Sequence, residues 1–360
     1  MSASVLTIIG ARPQFIKAAT ISRAIAANGR VRETIIHTGQ HFDREMSEVF
    51  ITGLGIPEPE EYLDVHGGGH GAMTGRMLEL LEPIVEARRP DLVLVYGDAN
   101  STIAGALVAA KLHVPVAHVE AGLRSFNRSM PEEVNRVLTD HVSTLLFCPT
   151  RTAVDNLARE GISTGVHHVG DVMYDAMRAA VARARETSTI CERLDLHPGG
   201  YALATVHRAE NTATRDDLAR ALDYLKAHAK ERPVVLPLHP RTRKAAGRFG
   251  LDFEGLLVAA PVDYLDMTAL LDGCAVVLTD SGGLQKEAYF HRKPCVTMRS
   301  ETEWVETVEG GWNRLWREPH YRPRKEITDY GHGQAARRIV ECIDEYLCGS
   351  EGLGKCSAIS

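Results

Sequence analysis

The chain has 360 residues, 44% of them hydrophobic, with 41 Lys and Arg against 47 Asp and Glu and a formal net charge of -6. That length exceeds what one hydrophobic core supports and predicts about two domains, and the acidic balance excludes a general nucleic-acid binder, which needs a broad basic face. Seven cysteines are scattered without a C-x-x-C pair, arguing against a disulfide framework or zinc site and for reduced thiols in the cytoplasm.

The apolar run at residues 5–9 has no basic segment before it and is too short for a signal sequence or membrane span, so no membrane partner is expected. In the first half, β-branched runs predict strands at 5–9, 34–37, 92–96, 116–119 and 145–148, alternating with helices at 16–27, 76–87, 102–112 and 132–142. This is a βαβ series with a parallel sheet. At the end of the first strand, Gly10-Ala11-Arg12-Pro13 opens a helix without the G-x-G-x-x-G spacing, so no nicotinamide cofactor is indicated. Arg12 and Lys17 offer positive charge there; read alone, Lys17 is more simply a solvated helix residue. The glycine-rich stretch His66 to Gly71 fits either a lid or a plain surface connection.

Gly97-Asp98 and Glu120-Ala-Gly122 close successive strands, so Asp98 and Glu120 reach one crevice and form a candidate acid/base pair. Capping of the next helix is the alternative for Asp98. Pro131 starts a helix on which Glu132 and Arg136, four apart, share a face; the default there is a surface ion pair of about 0.3–0.5 kcal/mol.

The second half repeats the pattern, with strands at 201–206, 234–238, 256–258, 276–279 and 295–298 and helices at 215–229, 264–272 and 284–290. A polar helical stretch at 178–192 links the lobes. We expect lobes at 1–172 and 173–334, with a final amphipathic helix at about 333–347 packing back on the first lobe and a frayed tail beyond it. The fold class is α/β with two Rossmann-like lobes and a ligand in the crevice beyond their strand ends.

His207 and His239 follow strands, where each either transfers protons or neutralises a diphosphate, or serves only a structural hydrogen bond. The sixteen histidines show no H-E-x-x-H or comparable spacing, so no metal is expected. Asp280-Ser281-Gly282-Gly283 follows a strand and opens a helix, and backbone amides at such an end suit a diphosphate, with Glu287 able to accept from a ribose diol. Ser281 as a bare N-cap, worth about 1 kcal/mol, is the alternative. These features together describe an enzyme acting on an anionic small molecule.

The segments GARPQFIKAA, HTGQHFD, VYGDANST, HVEAGLRS, PEEVNR, VHRAEN, LHPRT and DSGGLQKEA, in this order, resemble the non-hydrolysing UDP-N-acetylglucosamine 2-epimerase family from about Ile8 to Trp316. The resemblance implies two lobes of the glycosyltransferase-B type with the active site in the cleft between them, a homodimer and no redox cofactor. It also implies inversion at carbon 2 by elimination and re-addition of UDP. By the same resemblance Asp98, Glu120 and Glu132 are the acidic groups, with His207 assisting at the phosphate or leaving oxygen. Arg12, His207, Ser281, Gly282 and Gly283 match diphosphate contacts, Glu287 the ribose contact, and Lys17 and Arg136 further site positions; His239 joins the binding set. Which carboxylate is the base stays open.

The chain departs from the family pattern R-x-x-T-E-R-P-E with Arg299-Ser300-Glu301-Thr302-Glu303-Trp304-Val305-Glu306. Phe42-Asp43 and the glycine-rich stretch also replace residues that contact a second UDP-sugar in allosteric members, which argues against activation by substrate. HFDREMSEVF, HGAMTGRML and SETEWVE look more like the branch acting on UDP-2,3-diacetamido-2,3-dideoxyglucuronate in surface-polysaccharide biosynthesis. Its extra carboxylate needs a cation or amide partner, for which Arg76 and His70 are suggestions. The alternatives are epimerisation of plain UDP-N-acetylglucosamine to the manno form, or glycosyl transfer on the same fold.

Overall fold

The alternation of strands and helices resolves into two fully parallel sheets in the computed structural model, which describes residues 3–40 and 56–350, apart from the side chains of Arg12 and Ser350. The chain divides into two compact units, Met1–Ala176 with Asp329–Ser360, and Met177–Thr328.

In the first unit the strands are β1 Ala3–Ile9, β2 Val31–His37, β3 Glu61–Tyr62, β4 Leu92–Tyr96, β5 Val116–Val119, β6 Leu145–Cys148 and β7 Val166–His168. They are ordered β3-β2-β1-β4-β5-β6-β7. Every residue of β4, LVLVY, is buried, as a strand covered by helices on both faces requires. Helix Arg12–Asn28 lays Phe15, Ala18, Ile21 and Ile25 on one face of the sheet, spaced for a single apolar stripe. Helix Ala335–Ser350 adds Ile339, Val340, Ile343 and Leu347 to that same core, each buried aliphatic contributing roughly 1.5–3 kcal/mol. The C-terminal helix is thereby part of the first unit.

The second unit carries β8 Ala202–Thr205, β9 Val234–Pro237, β10 Leu257–Ala259, β11 Val276–Thr279, β12 Cys295–Thr297 and β13 Asn313–Leu315, ordered β10-β9-β8-β11-β12-β13. Helix Arg215–Ala229 covers it with Leu218, Leu222 and Leu225 against Leu236 and Leu278. In both sheets the strand order reverses beside the first strand, between β1 and β4 and between β8 and β11. Such a switch point opens a crevice at the carboxyl ends of the strands.

Three local differences from the sequence reading have simple causes. The polar linking helix runs over Val172–Thr187 and is followed by a separate turn of helix at Ile190–Arg193, because Ser188 and Thr189 interrupt it. The glycine-rich stretch is shorter than it reads, since His70 already begins helix His70–Arg88. Edge strands β3, β7 and β13 span only two or three residues, too few for any periodicity to register.

Candidate active site

The polar strand ends of the first unit gather at the β1/β4 switch point. Gln14, in the first turn of helix Arg12–Asn28, accepts the Gly10 and Ala11 N–H groups at 2.8 Å each. Its amide nitrogen donates to the Tyr96 carbonyl at 2.9 Å and to Thr102 Oγ1 at 3.0 Å. One buried amide thus ties the turn after β1 to the turn after β4. Beyond β4, Gly97 adopts φ 62°, and a Cβ there would lie 3.4 Å from Glu120 Oε2 and 3.6 Å from Lys17 Nζ. A Cβ would fit at van der Waals distance from the pair formed by Glu120 and Lys17, so it is the left-handed backbone that favours glycine here.

Lys17 is 6% exposed and its ammonium forms an ion pair with Glu120. It is therefore not a solvated helix residue. Glu120 itself has φ 74°, a left-handed backbone that costs a non-glycine residue about 1–3 kcal/mol and tends to survive where function demands it. Asp98, the next residue after Gly97, pairs with Arg136, and the N-cap of the following helix is Ala99. Asp98 is accordingly not the helix cap.

Arg136 is buried, with the second arm of its guanidinium 2.7 Å from Glu133 Oε2. The surface pair expected between Glu132 and Arg136 is replaced by this interior one, because position 133 rather than 132 turns inward at the start of helix Pro131–Val142. Glu133 also accepts the Ser125 and Phe126 N–H groups at 2.9 Å each, which consumes it structurally. Glu132, half-buried beside it, makes none of these contacts. Asn135 donates to the Asp98 carbonyl at 2.9 Å and to Asn100 Oδ1 at 3.2 Å. The Asn100 amide in turn lies 3.3 Å from Nδ1 of exposed His70, bringing the glycine-rich stretch to the neighbourhood of Asp98. Arg76 instead donates to the His66 and Gly67 carbonyls at 2.9 and 2.7 Å.

In the second unit the organising charge is Asp280, fully buried after β11. Its carboxylate accepts the His207 and Arg208 N–H groups at 2.9 Å and the Asn211 amide at 3.1 Å. The His207 ring stands against it, Nδ1 to Oδ1 3.2 Å, and against His239 with ring centroids 5.2 Å apart. Burial pushes the His207 imidazole below its ordinary value; Asp280 works in the opposite sense, and Arg208 and Arg241 reinforce the depression. His239 caps helix Pro240–Phe249, its Nδ1 accepting the Arg241 N–H at 3.1 Å.

Ser281 is the N-cap of helix Gly282–Phe290, its hydroxyl accepting from Leu284 N at 3.4 Å. Capping does not exclude an anion, because the first N–H groups of a helix outnumber the acceptors one serine supplies. Gly283 faces open space, while a Cβ at Gly282 would meet the Glu303 carboxylate at 2.5 Å and Arg208 Nη2 at 3.3 Å. Glu287 is half-buried near the Tyr264 phenol, which burial foremost and the Glu287 charge next hold above its ordinary value. The departing segment packs directly on this helix: Thr302 donates to Gln285 Oε1 at 2.6 Å, Arg299 pairs with Glu303 at 2.8 Å, and Lys286 Nζ sits 4.0 Å from the Trp304 ring centroid.

The structure thus brings together Lys17, Asp98, Glu120 and Arg136 in one unit and His207, His239 and Ser281 to Gly283 in the other. The Arg12 side chain and all of HFDREMSEVF, with its Phe42-Asp43, lie outside the described residues. Reading residue by residue gave no role of their own to Gln14, Glu133 and Asn135, and named Asp280 only as part of its strand-end motif. A polar residue just inside a helix start, as at Gln14, signals capping but not the second strand it reaches. Among the described residues no group of three or more His, Cys, Asp or Glu converges as a metal site, and no helix is long and apolar enough to cross a membrane.

Comparison with known proteins bears on the same residues. A family model described as UDP-N-acetylglucosamine 2-epimerase matches residues 23–344. A UDP-2,3-diacetamido-2,3-dideoxy-D-glucuronate 2-epimerase of Pseudomonas aeruginosa is 52% identical over 94% of this chain and 99% of its own. A UDP-N-acetylglucosamine 2-epimerase homolog of Methanococcus maripaludis is 47% identical over 94% and 99%. Among solved structures, Methanocaldococcus jannaschii UDP-GlcNAc 2-epimerase in complex with UDP-GlcNAc and UDP superposes with a TM-score of 0.85 at 36% identity, covering 95% of this chain and 99% of that one. The two Rossmann-like lobes are those of the glycosyltransferase-B type, and the chain belongs to the UDP-N-acetylglucosamine 2-epimerase family, an enzyme family of isomerases.

Proposed function

We propose that this enzyme epimerises a UDP-sugar at carbon 2, converting UDP-2,3-diacetamido-2,3-dideoxyglucuronate to its manno epimer in a surface-polysaccharide route of the cytoplasm. The observation that carries the reading is the pair of carboxylates at adjacent strand ends, Asp98 and Glu120, each engaged by its own cation, Arg136 and Lys17. Similarity to the Pseudomonas aeruginosa epimerase supports the choice of sugar.

The chemistry follows from what inversion at a saturated carbon requires. A base takes the proton from carbon 2, the bond from carbon 1 to the UDP oxygen breaks, and a C1–C2 double bond forms. An acid then protonates carbon 2 from the other face as UDP re-adds at carbon 1, with no net redox change. Asp98, Glu120 and Glu132 are the groups for the two proton transfers. UDP departs as an anion, so the amides of Gly282 and Gly283, the Ser281 hydroxyl, His207 and Arg12 act where charge accumulates, lowering the barrier. Glu287 accepts from the ribose, and His239 supports His207. Of the two groups suggested for the sugar carboxylate, His70 stands beside Asn100 near Asp98, whereas Arg76 is turned to loop carbonyls. The active unit is a homodimer.

Proton NMR of purified enzyme with a panel of UDP-sugars in heavy water tests this. The expected outcome is epimerisation of the diacetamido-glucuronate with deuterium entering at carbon 2 and no acceptor needed. A preference for plain UDP-N-acetylglucosamine overturns the choice of sugar, product without label overturns the proton mechanism, and strict dependence on an acceptor would make the enzyme a transferase.

A further inference from the structure

The three carboxylates assigned to proton transfer sit on three separate segments: the turn after β4, the turn after β5, and helix Pro131–Val142. Something must hold those segments in mutual register, since misplacing a reacting group by an ångström costs about 10²-fold in rate.

His118, on β5, is fully buried, and both ring nitrogens are engaged. Nε2 lies 2.7 Å from the Gly97 carbonyl oxygen and Nδ1 lies 2.7 Å from Asp140 Oδ1. The Gly97 carbonyl oxygen can only accept, so Nε2 donates to it, and Nδ1 faces the Asp140 carboxylate. The Asp140 carboxylate is shared further: Oδ2 accepts the Gly122 N–H at 3.0 Å and Arg124 Nη1 at 2.7 Å. Arg124 is clamped in turn by Glu160 through two bonds of 2.7 and 2.8 Å. Burial pushes the Asp140 carboxyl up, but His118 and Arg124 more than offset this and leave it below its ordinary value. The Asp140 carboxylate therefore persists as a charged, fully partnered anchor.

Each strand of this network ends beside a proposed proton carrier. Gly97 immediately precedes Asp98, and its own N–H donates to the Val119 carbonyl at 2.9 Å. Glu120 lies between His118 and Gly122, both bound to Asp140, and its left-handed backbone, φ 74°, needs such fixation. Gly122, φ 79°, admits no side chain, since a Cβ would strike the Ala153 carbonyl. Glu132 is carried two helical turns before Asp140 on one rigid helix.

Resting on the proton-transfer reading above, we infer that His118 and Asp140 are positioning residues for this reaction, a buried pair that sets the Asp98 turn, the Glu120 turn and the Glu132 helix relative to one another without touching substrate.

Two replacements of His118 separate positioning from plain stability. An Asn amide falls where Nδ1 lies and meets only Asp140, whereas a Gln amide falls where Nε2 lies and still donates to the Gly97 carbonyl. H118N and H118Q each break one of the two bonds of the bridge, and each is expected to lose on the order of 10²-fold in kcat with KM and the Kd for UDP little changed, a loss out of proportion to the fall in Tm. Leu81→Ala, a cavity in the core on helix His70–Arg88, lowers Tm and leaves kcat unchanged. The inference is overturned if H118N turns over like wild type, or if H118N, H118Q and L81A all lose kcat in step with Tm. Asp98→Asn, measured alongside, distinguishes the two levels: an inactive D98N with an unimpaired H118N removes only the positioning role, whereas an active D98N removes the proton-transfer reading and this inference with it.

Discussion

The two units share a strand order yet use charge at their switch points in opposite ways. In the first, the charges are paired side chain to side chain, Lys17 with Glu120 and Arg136 with Asp98 and Glu133. In the second, the one fully buried carboxylate, Asp280, is occupied by the His207 and Arg208 backbone and by Asn211, and what faces outward is a helix start with glycine at its first two positions. An orientable side-chain charge suits proton transfer, whereas fixed amides suit a diphosphate that gains charge at a fixed place as it departs. In the proposed reaction the same topology separates the moving proton from the held anion.

That separation is broken most directly at the carboxylates. Asp98→Asn and Glu120→Gln each lower kcat by about 10²–10⁴-fold, the usual worth of a positioned acid or base, while calorimetry finds UDP affinity nearly unchanged. Equal loss of UDP affinity would mean that the first unit also holds the nucleotide. Next in size is Lys17→Met, which removes the ion pair to Glu120 in a site where the two side chains are only 8% and 13% exposed. Removing one member of a buried pair costs about 3–5 kcal/mol, read by urea unfolding, and the double variant with Glu120→Gln recovers much of that loss. A smaller effect tests the second unit: Gly283→Ala enters open space, so Tm stays constant. UDP affinity nevertheless falls about tenfold if a phosphate hydrogen bond is lost there.

The fold was legible because buried parallel strands write themselves as apolar runs: β4, β5, β6 and β11 begin and end where the hydrophobicity does. The polar residues just beyond them were equally visible, since a charge after an apolar run stands out. Pairing was not visible. Sequence spacing offers Glu132 to Arg136, but the tilt of the first helical turn buries Glu133 instead, and Arg136 reaches 38 residues back to Asp98. Lys17 and Glu120 lie 103 residues apart, and His118 and Asp140 sit on different elements, so only the folded sheet brings them into contact. Long-range partners are written in topology rather than in any local pattern.

His207 offers the finest test of the contrast, because its ring stands against the buried Asp280 carboxylate on the anion-holding side. In the free enzyme burial keeps it below the ordinary histidine value despite Asp280, with Arg208 and Arg241 adding to the depression. The unfolded chain then takes up a proton first as pH falls through the region of 6.5, so this residue withdraws stability on acidification and restores it above that value. A bound diphosphate acts in the reverse direction by favouring the charged ring. UDP binding should therefore raise the His207 pKa, take up a proton, and strengthen as pH falls through the interval between the free and bound values. NMR titration of the His207 ring with and without UDP measures both ends of that interval. An unmoved pKa would mean that the diphosphate does not reach the histidine, leaving the helix amides as its only partners in this unit.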